Sequence, residues 1–289
     1  TRAVAQGDPM QAIPVHVINL DRVPERLEHI RAQADAIGFE FRRVSAVDGA
    51  APGFAESLGD RPPGPLRGQV LSPAQVACFR SHRKTWKTIV EGTAEYGMIL
   101  EDDIVLSLDF AKYLESGWIP SDADLIRLES WWAPAWMDSR PVSVAYGRAL
   151  HRLRGATVGT GAYLVSQKAA EHLLGATEFQ LDPADVAIFD PASEVFNRLQ
   201  ILQMRPAPAR QAMLIPAHSA RDYARNSILQ DAEKAKQTAV RSLPAWLPVP
   251  FRDMPYATAR ARFRLSLRYL KWNAKAFLAD RSWRLVPFR

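Results

Sequence analysis

At 289 residues with 47% apolar side chains, the chain is long enough for one large α/β domain, or one domain with appendages, with a core of its own. Its one cysteine, Cys78, excludes an internal disulfide and fits a reducing compartment, and no apolar run approaches the roughly 18 residues a membrane helix needs. The net charge of +6 belongs to the tail: residues 252–289 carry ten Lys/Arg against two Asp, the rest sums to −2, and no nucleic-acid-binding motif accompanies the basicity.

In chain order, residues 1–14 form an N-terminal segment without the basic-then-apolar pattern of a secretory signal. Val15 to Leu20 predicts a buried strand. A helix follows from Pro24, with Leu27, Ile30, Ala34 and Ile37 at helical spacing and Gly38 as its stop. Phe41 to Val47 predicts a second strand. Residues 49–70, rich in Gly and Pro, predict a loop, either mobile near an active site or a plain surface excursion. Ser72-Pro73-Ala74-Gln75 has the form of a capping box opening a helix to about Gly92. Strands are expected at 96–100, 124–129 and 158–165, the last interrupted by Gly159-Thr160-Gly161, with Ser166 capping a helix through Leu174. Strands alternating with helices predict a mainly parallel sheet covered on both faces.

The strand at 96–100 ends in Glu101-Asp102-Asp103. Carboxylates at the carboxyl end of a buried strand sit where α/β proteins build their sites. Three like charges together need a cation or hydrogen-bond donors, and hard oxygen ligands suit Mn²⁺ or Mg²⁺. The alternative is an acidic turn with only a capping role.

Several segments in order resemble glycosyltransferase family 25, the bacterial lipooligosaccharide and collagen galactosyltransferases. They are Val17-Ile18-Asn19-Leu20-Asp21-Arg22 with Glu25-Arg26, Ala77-Cys78-Phe79-Arg80-Ser81-His82 with Trp86, Ile99 to Asp103, Ile126-Arg127-Leu128-Glu129, and Gly159 to Ser166. Weaker matches follow at Ala184-Asp185, Gln211 and Asn226-Ser227. The chain departs from the family at Gln75, where a glutamate is common, and at Ala209-Arg210, where a cysteine precedes the glutamine. Leu214 stands where bacterial relatives carry a histidine, and the nearest histidine here is His218.

The resemblance implies an A-type glycosyltransferase fold, Rossmann-like, over a catalytic domain of residues 15–235. It implies an inverting, metal-dependent transfer of a hexose, most often galactose from UDP-galactose, to a lipooligosaccharide, capsular or other cell-surface glycan. Asp103 is expected to hold the metal, with Asp102 and His218 completing its shell and Glu101 or Asp102 reaching the ribose. Asn19, Leu20, Arg22 and Arg26 are expected on the nucleotide, since arginines and helix N-termini favour anions. Gly159, Thr160, Gly161, Gln211 and His82 are placed on the acceptor side or behind it, and Trp131, with Trp132 and Trp136, as a sugar-stacking wall. Inversion needs a carboxylate to accept the acceptor's proton. Asp185 is the first candidate and Glu129 the second. Cys78 is read as a small buried hydrophobe. A metal-dependent phosphohydrolase and a non-catalytic nucleotide-sugar- or glycan-binding module are the alternatives.

Residues 236–289 predict a basic extension. Phe263, Leu267, Leu270, Ala274 and Phe277 form an apolar helical stripe beside Arg260, Arg264, Arg268, Lys271 and Lys275, with Trp272 and Trp283 as interfacial anchors. Such a helix suits an anionic membrane surface, which places a cytoplasmic enzyme on the inner face of the membrane.

Overall fold

The apolar periodicity between residues 15 and 205 is spent on one large sheet and the helices that cover it. The structure, a computed structural model, describes residues 11–131, 134–177, 180–214, 281–286 and 288. In chain order the elements are β1 (Val15–Asn19), α1 (Pro24–Ile37), β2 (Arg42–Ser45), α2 (Phe54–Ser57), α3 (Pro73–Val90), β3 (Tyr96–Glu101), β4 (Ile104–Leu106), β5 (Leu125–Arg127), β6 (Glu129–Ser130), β7 (Pro134–Asp138), β8 (Ser143–Ala145) and β9 (Arg148–Arg152). They continue with β10 (Ala162–Ser166), α4 (Gln167–Ala176), α5 (Ala184–Phe189), α6 (Glu194–Arg198), β11 (Ile201–Arg205), β12 (Ala209–Gln211) and β13 (Arg281–Leu285).

The large sheet has the order β2-β1-β3-β10-β5-β11-β9-β8. Six of its strands run the same way; only β10 and β9 are reversed, which makes the pairings on either side of them antiparallel. The sheet is therefore mostly parallel in direction, the Rossmann-like arrangement expected. Its central strands are buried on both faces, so they read as unbroken apolar runs. Ile99, Leu125, Tyr163, Val165 and Ile201 pack on one side against α3 to α6. Val17, Met98, Leu100, Ile126, Leu164 and Leu202 pack on the other with Ile30 of α1, Phe110 and Tyr113.

The helix signals act as the sequence predicts. Ser72 and Gln75 close both bonds of the capping box on α3, Ser166 caps α4, and Gly38 ends α1 at φ +86°, a conformation glycine adopts without strain.

Three expectations are corrected. The strand expected at 124–129 breaks at Leu128: β5 stays in the large sheet, while β6 turns away to pair with β12 beside β4. The strand expected at 158–165 begins only at Ala162, because Gly159 sits at φ +89° and breaks the pleat. Residues 49–70 contain the short α2, and the far half is tethered. Asp182, itself buried, accepts from the backbone N–H groups of Leu66 (3.2 Å) and Arg67 (3.0 Å), and Arg67 pairs with Asp190 at 3.2 Å.

The chain's end returns to the body. β13 pairs antiparallel with β7, with Trp283 opposite Trp136, and Val286 is buried in the main core. The stripe at 260–277 and His218, Asn226 and Ser227 lie outside the described residues, as does Trp132.

Candidate active site

Because β1 and β3 are parallel neighbours, with Ile18 opposite Glu101, their carboxyl ends deliver Asn19 and the three acids to the same edge of the sheet. Asn19 is buried and donates from Nδ2 to Asp102 Oδ2 at 2.8 Å and to the Val23 carbonyl at 3.1 Å. Its Oδ1 accepts from Arg43 at 2.9 Å. Arg26, one turn into α1, donates to Asp102 Oδ1 at 3.1 Å and stands 3.8 Å from Asp103 Oδ2. Asn19 and Arg26, two of the four residues expected on a nucleotide, thus hold Asp102 in place. Arg22 faces away in an exposed pair with Asp48 at 2.8 Å, and Leu20 is half-buried at the end of β1.

The three acids are electrostatically unlike. Burial raises the Asp102 carboxyl, and Arg26 and Asn19 oppose the rise. Burial and then the Glu101 charge push Asp103 up to about 7 against the pull of Arg26. Its Oδ1 is buried without a hydrogen-bond partner among the described residues. Burial also opposes ionisation of Glu101, yet the hydrogen bonds from His82 and Thr160 outweigh it and hold its pKa below the ordinary value. Glu101 Oε1 accepts from Thr160 Oγ1 at 2.7 Å and lies 3.2 Å from His82 Nε2.

His82 is anchored from behind. Trp86 Nε1 donates to Tyr163 Oη at 2.8 Å, and Tyr163 Oη lies 3.0 Å from His82 Nδ1. The tautomer that partners all of these atoms has Tyr163 donating to Nδ1 and Nε2–H donating to Glu101. Cys78, one turn before His82 on the same face of α3, is half-buried beside Glu101 rather than sequestered in the core. Burial and then the charges of Glu101, Asp185 and Asp103 push its thiol well above its usual pKa.

The glycine motif serves Glu129. A Cβ at Gly159 would stand 2.2 Å from Trp131 Nε1 and 2.5 Å from Glu129 Oε1, and one at Gly161 would stand 2.8 Å from Glu129 Oε2. With glycines there, Gly161 N–H donates to Glu129 Oε1 at 3.1 Å and Trp131 Nε1 to Oε2 at 3.3 Å. Arg127 lies 3.2 Å away. Glu129 has no solvent exposure, and burial pushes its carboxyl up to about 8 despite Arg127. Trp131 is half-buried with its indole on that carboxylate; Trp136 is buried in β7, so its part in a sugar-stacking wall is excluded.

Asp185 opens α5 half-buried. Its Oδ2 accepts from Gly159 N–H at 3.1 Å and its Oδ1 from Val186 N–H at 2.9 Å. Burial raises its pKa against those bonds and the charges of Arg67 and Arg127. Gln211 is brought beside Asp103 by β12: residue 211 pairs with Ile104, and Ala212 N–H donates to the Asp103 carbonyl at 2.7 Å. Gln211 Oε1 is a second buried oxygen without a donor among the described residues.

Two buried oxygens without a donor among the described residues, one on Asp103 and one on Gln211, suit a divalent cation, since both are the hard oxygen ligands that Mn²⁺ and Mg²⁺ prefer. Asp103 and Gln211 therefore fit the implied metal. Arg43, Tyr163 and Gln203 were not legible as site residues. Arg43 comes from β2 only through β1–β2 pairing, and Gln203, on β11, accepts from Arg127 at 2.9 Å inside the core.

Residues 12–188 match the family model of glycosyltransferase family 25 (LPS biosynthesis protein). The chain belongs to glycosyltransferase family 25. It is 29% identical to the lacto-N-neotetraose biosynthesis glycosyltransferase LgtB of Neisseria meningitidis serogroup B over 288 residues, 95% of this chain and 99% of the relative. It is 27% identical to LgtE of the same organism over 77% of this chain and 81% of the relative. It is 25% identical to procollagen galactosyltransferase 1-B of Xenopus laevis over 73% of this chain and 37% of that protein. The family-25 chain is thus a glycosyltransferase, and membership favours sugar transfer over phosphate hydrolysis or binding alone. Its acids, histidine and glycine motif all lie on the matched segment.

Proposed function

We propose that this family-25 chain is a metal-dependent, inverting galactosyltransferase that uses UDP-galactose to extend a lipooligosaccharide or related cell-surface glycan. The observation that carries the metal dependence is the buried Asp103 Oδ1, without a hydrogen-bond partner among the described residues, next in sequence to the Asp102 carboxylate that Asn19 and Arg26 fix. Galactose is supported by the relative named as a galactosyltransferase, and the glycan acceptor by the family's LPS-biosynthesis description and the lacto-N-neotetraose relatives.

In this reading Asp103, with Gln211 and Asp102 near it, holds Mn²⁺ or Mg²⁺. When bound, such an ion neutralises the charge that develops on the leaving diphosphate. Glu101, kept ionised by His82 and Thr160, accepts hydrogen bonds from the ribose hydroxyls. Asp185 Oδ1 or Oδ2 receives the acceptor hydroxyl's proton as that oxygen attacks the anomeric carbon. Glu129, out of solvent behind Gly161, instead fixes Trp131 and the glycine turn.

The donor assignment is tested by thermal shift across nucleotide sugars with and without Mn²⁺. A ligand at about a hundred times its Kd stabilises the native state by about 2.7 kcal/mol, or about 5 °C or more at this size. That shift is expected for UDP-galactose with Mn²⁺ and not for GDP- or CMP-sugars; no shift with any UDP compound would overturn the donor assignment.

The base assignment is tested by Asp185→Asn, whose amide oxygen still accepts from Gly159 N–H. Transfer is expected to fall on the order of 10²- to 10⁴-fold, with a stability change of about 1 kcal/mol or less. A near-normal rate would remove Asp185 from the mechanism.

The membrane assignment rests on the basic stripe of the sequence. Because β13 and Val286 belong to the body, deleting residues 252–289 would damage the core. The cleaner test replaces Arg260, Arg264, Arg268, Lys271 and Lys275 by Gln. Binding to anionic but not neutral vesicles is expected in the native chain, weakening with salt, and is expected to be lost in the variant, since each near-surface cation contributes roughly 1 kcal/mol. Equal binding by the variant would show that the stripe does not face the membrane.

A further inference from the structure

We infer that Cys78, His82 and Glu101 form a second cation site, selective for a borderline-soft divalent ion of the Zn²⁺ class and distinct from the all-oxygen site at Asp103. Their ligand atoms all lie within 4.8 Å of one another. Two of them come from positions i and i+4 of α3, so one helix face presents a sulfur and an imidazole together. The third arrives from the end of β3.

A tetrahedral ion with bonds of about 2.0–2.3 Å spaces its ligands about 3.3–3.8 Å apart. His82 Nε2 and Glu101 Oε1 are already 3.2 Å apart, so closure needs only small side-chain movement, chiefly by Cys78. Behind the imidazole, Tyr163 Oη at 3.0 Å from Nδ1 fixes the ring so that Nε2 points at Glu101. A histidine ligand is ordinarily held this way, by a partner on its other nitrogen. Trp86 in turn holds Tyr163, and both are fully buried, which makes the ring orientation a property of the core.

The ligand set discriminates between ions. A thiolate and an imidazole favour Zn²⁺ over Mg²⁺ or Mn²⁺, whereas the oxygens around Asp103 favour the hard ions. Binding forms a metal–Sγ bond, and the thiol proton leaves to solvent. The proton on His82 Nε2 is exchanged for one on Nδ1, which then donates to Tyr163 Oη, so a neutral imidazole releases none. Three protein ligands leave one position open, and Glu101 is drawn into the ion's shell beside the acids of the sugar-transfer site. A soft ion is therefore expected to inhibit transfer where a hard one supports it.

The test uses the purified full chain, in which Cys78 is the only cysteine, so every thiol signal reports this position. Titration with Co²⁺ is expected to produce a near-ultraviolet thiolate-to-metal absorption that saturates at one equivalent and is bleached by Zn²⁺. Zn²⁺, but not Mg²⁺, is expected to slow modification of Cys78 by a thiol reagent at least tenfold. Cys78→Ser, which keeps the side-chain volume, and His82→Gln are expected to weaken Zn²⁺ binding at least tenfold, while Asp103→Asn retains both the absorption and the protection. Absence of the thiolate band, or equal reagent protection by Mg²⁺ and Zn²⁺, would overturn the site even if the variants fail to fold. Loss of Zn²⁺ binding in Asp103→Asn alone would assign the ion to the oxygen site instead. None of these readouts depends on sugar transfer, so failure of the donor or acceptor assignment leaves them intact.

Discussion

Asp103→Asn is expected to lower sugar transfer at least about a thousandfold while leaving the melting temperature unchanged or higher. A cation that stabilises the leaving diphosphate contributes several kcal/mol to the barrier, and about 4 kcal/mol is a thousandfold. The same carboxylate is unfavourable to the metal-free fold, because burial and the neighbouring Glu101 charge disfavour its ionised form. Asparagine keeps the shape and removes the charge.

A pH dependence separates the two effects. The unfolded carboxyl ionises near its ordinary 3.8, whereas the folded one without a cation does so at about 7. Between those values the unfolded chain has released a proton that the folded chain retains. Stability therefore falls as pH rises from about 4 to about 7 and is not lost further above that. Urea unfolding of the metal-free protein at pH 5 and pH 7.5 is expected to show this slope, and Asp103→Asn to reduce it. Glu129, raised to about 8 by burial, contributes a slope of the same sign up to that pH and remains in the variant. An identical slope in native chain and variant would remove Asp103 as its source, and a variant with near-normal transfer would remove it as the metal ligand.

The parts of the fold that were legible in the sequence are those fixed by local rules. The capping box at Ser72, the stop at Gly38 and the two-faced apolar strands β1, β3 and β10 follow from caps and burial alone. The acids at 101–103 were legible for the same reason, since an apolar run that stops in carboxylates can only present them at the strand's end. What escaped was set by pairing between distant segments. The backbone of residues 211–212 meets that of 103–104 only because β12 lies between β4 and β6, and β6 leaves the large sheet at Leu128. Arg22 and Arg26 are both expected on the nucleotide, yet Arg22 stands in the turn before α1 and pairs with Asp48, whereas Arg26 lies inside α1 and bonds Asp102. β13 was unreadable as part of the body because its partner, β7, lies more than a hundred residues earlier.

Arg26→Met is expected to be the most destabilising single change in the site, on the order of 3–5 kcal/mol at neutral pH. Arg26 is buried and, among the described residues, is the cation within reach of both Asp102 and Asp103, at 3.1 and 3.8 Å. Removing one partner of a buried ion pair leaves an uncompensated charge, which costs more than the pair contributed. Met fills most of the volume with an unbranched apolar chain, so the loss reports charge rather than a cavity. Arg26 now lowers the pKa of both carboxyls. Without it both rise further, so the penalty is expected to shrink as pH falls toward 5 and the acids take up protons. Asp102→Asn in the Arg26→Met background is expected to recover a large part of the stability by removing the stranded charge, but none of the transfer activity, because Asp102 and Asp103 would no longer be held in register for a cation. Urea unfolding of the two single variants and the double variant at pH 5 and 7.5 measures the coupling directly. A loss below about 1 kcal/mol for Arg26→Met, or strict additivity in the double variant, would show that Asn19 alone holds Asp102 and that Arg26 is free to serve the nucleotide.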